Sequence, residues 1–284
     1  MMSKTWLVTG THTGFGKQLA IQLAQHDDIN LVATSRKAGQ LDYLDQYDHG
    51  QIAKVILDVT KHDQVVAAVR SATERFGGID VLVNNAGLGY FGTFEESNLE
   101  DVKYMFDVNV WGLVDMTRET LPIMRKQKSG VIVNFSSIGG LYSFPTLSFY
   151  HGTKYAVEGI TGSIEEEVKD LGIKTMLVEP SGFRTDWAGR SSHKTMPTHD
   201  DYEQFTKFID DMANGAHHEP GDPVMAAEII IDQVTNHSDQ LPTHLPLGKI
   251  SSDLATDKYT KLLQQFKDER ELSLSADRPE RNDN

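Results

Sequence analysis

The sequence predicts an α/β protein, a single-domain, doubly wound parallel sheet with helices on both faces. Short apolar runs recur along the chain, and amphipathic segments of helical period fill the gaps between them. Glycine, asparagine and hydroxyl residues gather where the apolar runs end. Alternating strand and helix is the pattern of a parallel sheet closed by crossover helices. Ligands in such sheets bind beyond the carboxyl ends of the strands.

Taken in order, the first strand is WLVT at 6–9, which runs into TGTHTGFG at 9–16. Glycine allows positive φ and close backbone approach. The helix that follows, over 15–26, repeats Leu19, Ala20, Leu23 and Ala24 at helical spacing. Its N-terminus suits an anionic group such as a pyrophosphate. No G-K-[ST] follows the glycines, so a P-loop for ATP is not the natural reading. The second strand, NLVAT at 30–34, ends in Ser35 and Arg36, and the third, AKVIL at 53–57, ends in Asp58 and Val59. A helix over 61–76 leads to DVLVN at 80–84, which continues into Asn84, Asn85, Ala86 and Gly87.

A long helical pattern over 99–127 precedes the strand VIVNF at 131–135, and NFSSIGG places Ser137 just past its end. The helix over 150–169 is followed by the strand IKTMLV at 173–178 and then by EPSGFRTDW. Residues 186–219 are polar with scattered Trp187, Met196, Phe205 and Phe208. They read as a substrate-side loop or lid with one short helix near 200–212. Helices are predicted over 223–234 and 251–266, and SADRPERNDN at the end reads as disordered. The catalytic domain is thus set at 1–250, with a C-terminal helix and polar tail over 251–284.

The 284-residue chain is 39% hydrophobic, enough for one large α/β core. Its 41 acidic and 27 basic residues give a formal charge of −14, which argues against nucleic acid or an anionic membrane as partner. With no cysteine, disulfides, thiolate nucleophiles and cysteine metal sites are excluded. The N-terminus lacks a signal-length apolar stretch and no segment approaches a membrane span, so a soluble, cytoplasmic protein is expected. The histidines at 193, 199, 217 and 218 read as solvated loop residues, and no metal site is expected.

Tyr150 and Lys154 lie four residues apart, on one face of a helix, and Ser137 precedes the tyrosine by thirteen residues. A nearby ammonium favours a phenolate and turns a tyrosine into an acid/base usable nearer neutrality. A serine hydroxyl beside it can donate to a substrate oxygen where negative charge develops. These groups suit a carbonyl or an alcohol. Asn109 sits on the stripe of Val102, Met105, Phe106 and Leu113, where a buried amide needs partners. His151 is expected to face away from the site.

Together these residues resemble the classical short-chain dehydrogenase/reductase family over about residues 4 to 250. The family pattern T-G-x-x-x-G-x-G matches Thr9, Gly10, Gly14 and Gly16, and N-N-A-G matches Asn84 to Gly87. The catalytic tetrad corresponds to Asn109, Ser137, Tyr150 and Lys154. In the P-G-x-x-x-T segment Pro180 and Thr185 keep their separation, but Ser181 stands in the glycine position and Gly182 follows it.

The resemblance implies a Rossmann-like fold and reversible hydride transfer, with Tyr150 as acid/base. Lys154 tunes the tyrosine and binds the nicotinamide ribose, and Asn109 supports a water-linked proton relay. Cofactor contacts are implied for Gly10, Thr11, Thr13, Gly14, Phe15, Gly16, Ser35, Arg36, Asp58, Val59, Asn85, Ala86 and Gly87. Tyr150, Lys154, Pro180, Gly182, Phe183 and Thr185 complete that set.

The second strand ends without a carboxylate for a ribose 2′-OH, and an arginine fork suits a 2′-phosphate, so NADP is the expected cofactor, with NAD possible. The substrate is expected to be a small uncharged carbonyl or alcohol, with a rim of Leu88, Gly89, Tyr90, Ile138, Leu141, Tyr142, Phe144, Gly182, Phe183 and Trp187. Apolar residues on 99–127 (Val110, Trp111, Leu113, Val114) favour a homo-oligomer, dimer or tetramer. The alternatives are an NAD(H)-dependent alcohol dehydrogenase and a non-catalytic nicotinamide-binding regulator.

Overall fold

The computed structural model describes residues 3–277. The remainder of the predicted tail, 278–284, lies outside the described residues. Seven parallel strands form the main sheet in the order β3-β2-β1-β4-β6-β7-β9. They are β1 (Lys4–Val8), β2 (Ile29–Ser35), β3 (Ile52–Ile56), β4 (Val81–Asn84), β6 (Gly130–Phe135), β7 (Ile173–Pro180) and β9 (His244–Leu247). Two short strands, β5 (Gly89–Phe91) and β8 (Ser192–Lys194), pair in parallel outside it. The crossover helices are α1 (Gly14–Leu23), α2 (His62–Phe76), α3 (Leu99–Phe106), α4 (Leu113–Gln127) and α5 (Ser148–Val168). Then come α6 (Gln204–Asn214), α7 (Pro223–Asn236), α8 (Lys249–Asp268) and the short α9 (Arg270–Leu274).

Side chains alternate across the central strand, as the two-residue period of a strand requires. Trp6 and Val8 join the apolar layer of α1 and α7 with Leu19, Leu23 and Ile230. Leu7 joins the opposite layer of α2 and α4 with Val65, Val69 and Met116. Burial of each such large side chain contributes roughly 1.5–3 kcal/mol, and the double burial explains why these strands are uninterrupted apolar runs.

All six strands predicted from the sequence are present. The three that were not foreseen are short. β9 contains Pro246, which an edge strand tolerates because its outer N–H groups need no partner. β5 and β8 have three residues each, too few to show a period. The helix predicted over 99–127 is interrupted by a π-helical turn, Asp107–Gly112. The added residue per turn rotates the following face, and Val110 and Leu113 are buried within this chain. Their apolar character is therefore not an excess left for a partner. Nor does the division at 250 coincide with a break, because α8 begins at Lys249 and its Ser251 hydroxyl donates to the Glu179 carbonyl at 2.6 Å.

A buried polar ladder links the strands that carry the site to their covering helices. Asn84 Nδ2 donates to Asn134 Oδ1 at 2.9 Å and to Thr117 Oγ1 at 3.1 Å. Asn134 Nδ2 in turn donates to Thr161 Oγ1 at 2.9 Å. Asn134→Ala would remove the hydrogen bonds to Asn84 and Thr161, each with a net contribution of roughly 0.5–1.5 kcal/mol. Urea melts of the two proteins should show a loss of at least that size, and equal midpoints would contradict this account of the ladder.

Candidate active site

The strand order turns back at β1, which has β2 on one side and β4 on the other. Dinucleotides bind at such switch points in open α/β sheets. A crevice of about 390 Å³ opens there, bounded by the turns after β1, β2, β3 and β4. Gly10 (φ 69°) and Gly14 (φ 54°) adopt left-handed backbone that a side chain would strain. A Cβ on Gly10 would stand 3.1 Å from Ala86 Cα, and one on Gly16 would collide with the Gly10 carbonyl and the Asn85 amide. Thr13 does not cap α1 with its side chain, so the first-turn N–H groups are left for a ligand. This side-chain-free cradle at a helix N-terminus fits a dinucleotide pyrophosphate.

Arg36 lies where β2 ends, its guanidinium donating to Tyr104 Oη at 3.3 Å. It has no carboxylate partner among the described residues. Lys37 and Arg190 line the same crevice, Arg190 paired with Asp186. Burial, then the charges of Arg36 and Arg190, hold His12 below its usual pKa, so at neutral pH it adds hydrogen-bonding capacity rather than charge. Asp58 Oδ1 accepts from Thr60 N (3.0 Å) and Thr60 Oγ1 (2.8 Å), while α2 begins without a side-chain cap. Asp58 is therefore not a helix cap.

A second cavity of about 450 Å³ adjoins the first, the two sharing Phe15, Asn85, Gly87, Leu88, Thr185 and Trp187. Ser137, Tyr150 and Lys154 line it together. The Ser137 hydroxyl accepts from Gly139 N at 3.0 Å. Lys154 Nζ donates to the Phe135 carbonyl at 2.8 Å and lies 5.7 Å from the Tyr150 ring centroid. The indole of Trp187 packs over Tyr150, ring centroids 4.9 Å apart.

Burial pushes the Tyr150 phenol up to about 12, against the lowering effect of a hydrogen bond from Ser137. Burial also pushes Lys154 down to about 8, opposed by the Glu158 carboxylate. The direction is opposite to the lowered phenol expected from the sequence, because desolvation outweighs the Ser137 hydrogen bond. Ser136 also lines this cavity, but its hydroxyl donates to Glu158, whose carboxyl burial pushes up to about 7.

Asn109, within the π turn, accepts from Leu88 N at 2.7 Å and donates to Leu88 O (2.9 Å) and Thr153 Oγ1 (3.1 Å). It lines neither cavity, and its bonds fasten the turn after β4 to α5. Thr11 and Gly16 also line neither cavity. The Thr11 hydroxyl is turned inward, donating to Thr34 O at 3.0 Å, and Gly16 serves close packing. Of the other cofactor candidates, Gly10, Thr13, Gly14, Phe15, Ser35, Arg36, Asp58, Val59, Asn85, Ala86, Gly87 and Thr185 line the crevice. Pro180, Gly182, Phe183, Tyr150 and Lys154 line the second cavity instead.

From the predicted rim, Gly89, Tyr90, Leu141 and Tyr142 are absent from that cavity. Tyr90 is only 1% exposed, and its hydroxyl is held by Thr195 (2.6 Å) and Asn98 N (2.6 Å). Leu147, Phe208, Met212, Glu219, Pro220 and Ile250 line it in addition. His151, expected to face away, also lines it, and its two ring nitrogens are bonded to Gly139 O and Phe144 N, both at 2.8 Å. His193, expected in solvent, lines the crevice and pairs with Asp101 at 3.1 Å. His193, Phe208, Met212 and Glu219 come from the segment over 186–219, Leu147 and Pro220 from loops, and His151 and Ile250 from the first turns of α5 and α8. The β5–β8 pairing that brings the segment onto the site gives no sequence signal.

The family of short chain dehydrogenases matches this chain over residues 4–195. Oxidoreductase BOA17 of Botryotinia fuckeliana is 35% identical over 278 residues, covering 97% of this chain and 100% of that protein. A short-chain dehydrogenase from Streptomyces avermitilis superposes with a TM-score of 0.87 at 31% identity, covering 98% of this chain and 100% of that one. The structure of ElxO with NADP bound gives a TM-score of 0.71 at 29% identity, covering 87% and 97%. With the crevice, the paired Tyr150 and Lys154 and these similarities in place, the chain belongs to the short-chain dehydrogenase/reductase family and is an NAD(P)-dependent oxidoreductase.

Proposed function

We propose that the protein reduces a carbonyl, or oxidises the matching secondary alcohol, with NADP(H) preferred and Tyr150 as the acid/base. The observation that carries this is that the cavity lined by Tyr150, Ser137 and Lys154 adjoins the crevice, the two sharing Asn85, Gly87, Thr185 and Trp187. The Gly10–Gly16 turn, Arg36, Asp58, the Asn85–Gly87 turn and Thr185 hold the cofactor, which supplies or accepts hydride at its nicotinamide ring when bound. Ser137 donates a hydrogen bond to the substrate oxygen, and Tyr150 gives that oxygen its proton in reduction and takes it back in oxidation. Lys154 holds positive charge beneath the phenol ring and binds ribose hydroxyls, while Asn109 positions α5 through Thr153 and Leu88. Absorbance at the nicotinamide band, with NADPH or NADH and a panel of ketones and aldehydes, tests the assignment. Cofactor binding without turnover across the panel would instead favour the regulator.

The NADP preference rests on Arg36, and ElxO, a relative at 29% identity, was solved with NADP bound. A charge-assisted hydrogen bond contributes roughly 1.5–3 kcal/mol. Arg36→Ala should therefore weaken NADPH binding on the order of 10- to 100-fold and leave NADH nearly unchanged. An unaltered NADPH/NADH affinity ratio shows that Arg36 does not discriminate.

Tyr150→Phe keeps the packing under Trp187 and removes the transferring proton. Turnover should fall by roughly 10²–10⁴-fold, the range typical of general acid–base catalysis, with cofactor affinity retained. In the wild type the phenol stays protonated across neutral pH, so reduction should hold steady up to about pH 8 and decline above it, as Lys154 loses its charge. Oxidation, which needs the phenolate, should rise with pH. Near-wild-type turnover by Tyr150→Phe sinks the mechanism.

We place the enzyme in the cytoplasm, and no helix among the described residues is long and apolar enough to cross a membrane. A homo-oligomer formed through α4 and α5 is supported by Trp111 and Tyr155, which are 62% and 37% exposed beside that face. Light scattering of wild type should report a dimer or tetramer, and Trp111→Glu should shift it toward monomer. A wild type that is monomeric at every concentration removes this part of the reading.

A further inference from the structure

We propose that the substrate cavity selects a carbonyl compound carrying a cationic amine, recognised by the carboxylate of Glu219. This rests on the carbonyl chemistry proposed above and adds a second recognition point to it. Four titratable side chains line the cavity: Tyr150, His151, Lys154 and Glu219. Three are already committed, Tyr150 to the proposed proton transfer, His151 to two backbone groups and Lys154 to the Phe135 carbonyl. Glu219 is not. Its Oε2 is sealed from solvent and has no hydrogen-bond partner among the described residues.

A buried carboxylate oxygen without a donor is costly unless something supplies one. The nearby arginine does not. Arg184 spends one nitrogen on the main-chain carbonyls of Glu219 and Pro220, both at 3.3 Å, and another on Asp222 at 2.6 Å. Phe183, Phe208, Met212 and Ile250, which line the same cavity, carry no side-chain donor. The backbone also makes room for this side chain. A Cβ at Gly182 would stand 3.2 Å from Glu219 Cγ, so the glycine lets the glutamate stem lie against the segment leaving β7.

A ligand that meets this carboxylate, at the oxygen that is not sealed, must bring its own donor. An ammonium brings both N–H groups and the complementary charge, which strengthens the bond. A carboxylate-bearing substrate is repelled. The wholly uncharged substrate expected from the sequence is therefore replaced by one with an apolar body, a carbonyl for Tyr150 and an amine for Glu219.

Calorimetric titration of the full-length protein with hexylammonium, hexan-1-ol and hexanoate tests the subsite without any turnover. Wild type should bind hexylammonium at least about tenfold tighter than the alcohol, the scale of one charged hydrogen bond, with hexanoate weakest. Glu219→Gln should bring the three probes within about twofold of one another, and Glu219→Lys should favour hexanoate. Equal binding of the probes, no detectable binding of hexylammonium, or a preference that survives Glu219→Gln overturns the proposal. The wild-type ranking alone decides it should a variant fail to fold. A parallel assay with NADPH compares a methyl ketone with its dimethylamino-terminated counterpart, which cannot cyclise to an imine. Turnover of both without preference counts against Glu219 alone. No turnover of either counts against the carbonyl chemistry, while the titration still decides the subsite.

Discussion

The amide of Asn85 donates to the carbonyl oxygens of Thr9 (2.8 Å) and Gly10 (3.1 Å), and these two bonds hold the turn after β4 against the turn after β1. The Thr9 hydroxyl returns the tie, accepting from the backbone N–H of Asn85 and of Ala86, both at 2.9 Å. Two chain segments more than seventy residues apart are thereby brought into backbone contact. At that separation a side chain on Gly16 would collide and one on Gly10 would crowd Ala86, so the contact adds to the left-handed backbone in favouring glycine. The same contact leaves the start of α1 open toward the crevice. Phosphate recognition and sheet topology are in this sense one feature, since only neighbouring strands that diverge into separate loops can present both turns to one ligand.

The residues proposed for catalysis depend on a different tie. Asn84 and Asn134 are directly opposite in the β4–β6 register, and their side chains continue the pairing into α4 and α5 through Thr117 and Thr161. A polar ladder in an otherwise apolar interior fixes relative position more narrowly than methyl packing, because each amide must meet its partner at hydrogen-bond distance. β6 ends next to Ser137 and α5 carries Tyr150 and Lys154, so fixing one against the other sets the distance between serine and tyrosine. Asn109 does the same between α5 and the turn after β4. Its three hydrogen bonds leave its amide fully engaged in structure.

Much of this was legible in the sequence wherever a residue acts through its own type and spacing. The six longer strands show as apolar runs because both faces of the sheet are covered. Tyr150 and Lys154 show as a four-residue spacing, and the glycine turn shows because no other residue fits. What was not legible depends on chain segments meeting across the fold. Arg190, His193 and Glu219 face the cavities because β8 pairs with β5 and because residues near 220 bridge back to Phe183. No local pattern encodes either pairing. The π turn is likewise hidden, since the pattern over 99–127 reads as one helix until the packing of Val110 and Leu113 shows the added residue. Thr11 was misplaced for a related reason. It sits among the glycines in sequence, yet its side chain is needed to close the β2 end, where its hydroxyl reaches Thr34.

Burial acts on Tyr150 and Lys154 in opposite directions, and that asymmetry bears on which way the site works. Trp187 packs over the phenol, and burial pushes the Tyr150 pKa up to about 12, against the phenolate. Burial also lowers the lysine toward neutrality. Near neutral pH the resting pair is therefore a protonated phenol beside an ammonium that retains most of its charge. That is the arrangement a proton donor needs and the one a base must first escape. The residues of 186–219 that carry Trp187 thus do more than cover the substrate. In the function proposed above, keeping water from Tyr150 favours its protonated form, the form that carbonyl reduction draws on.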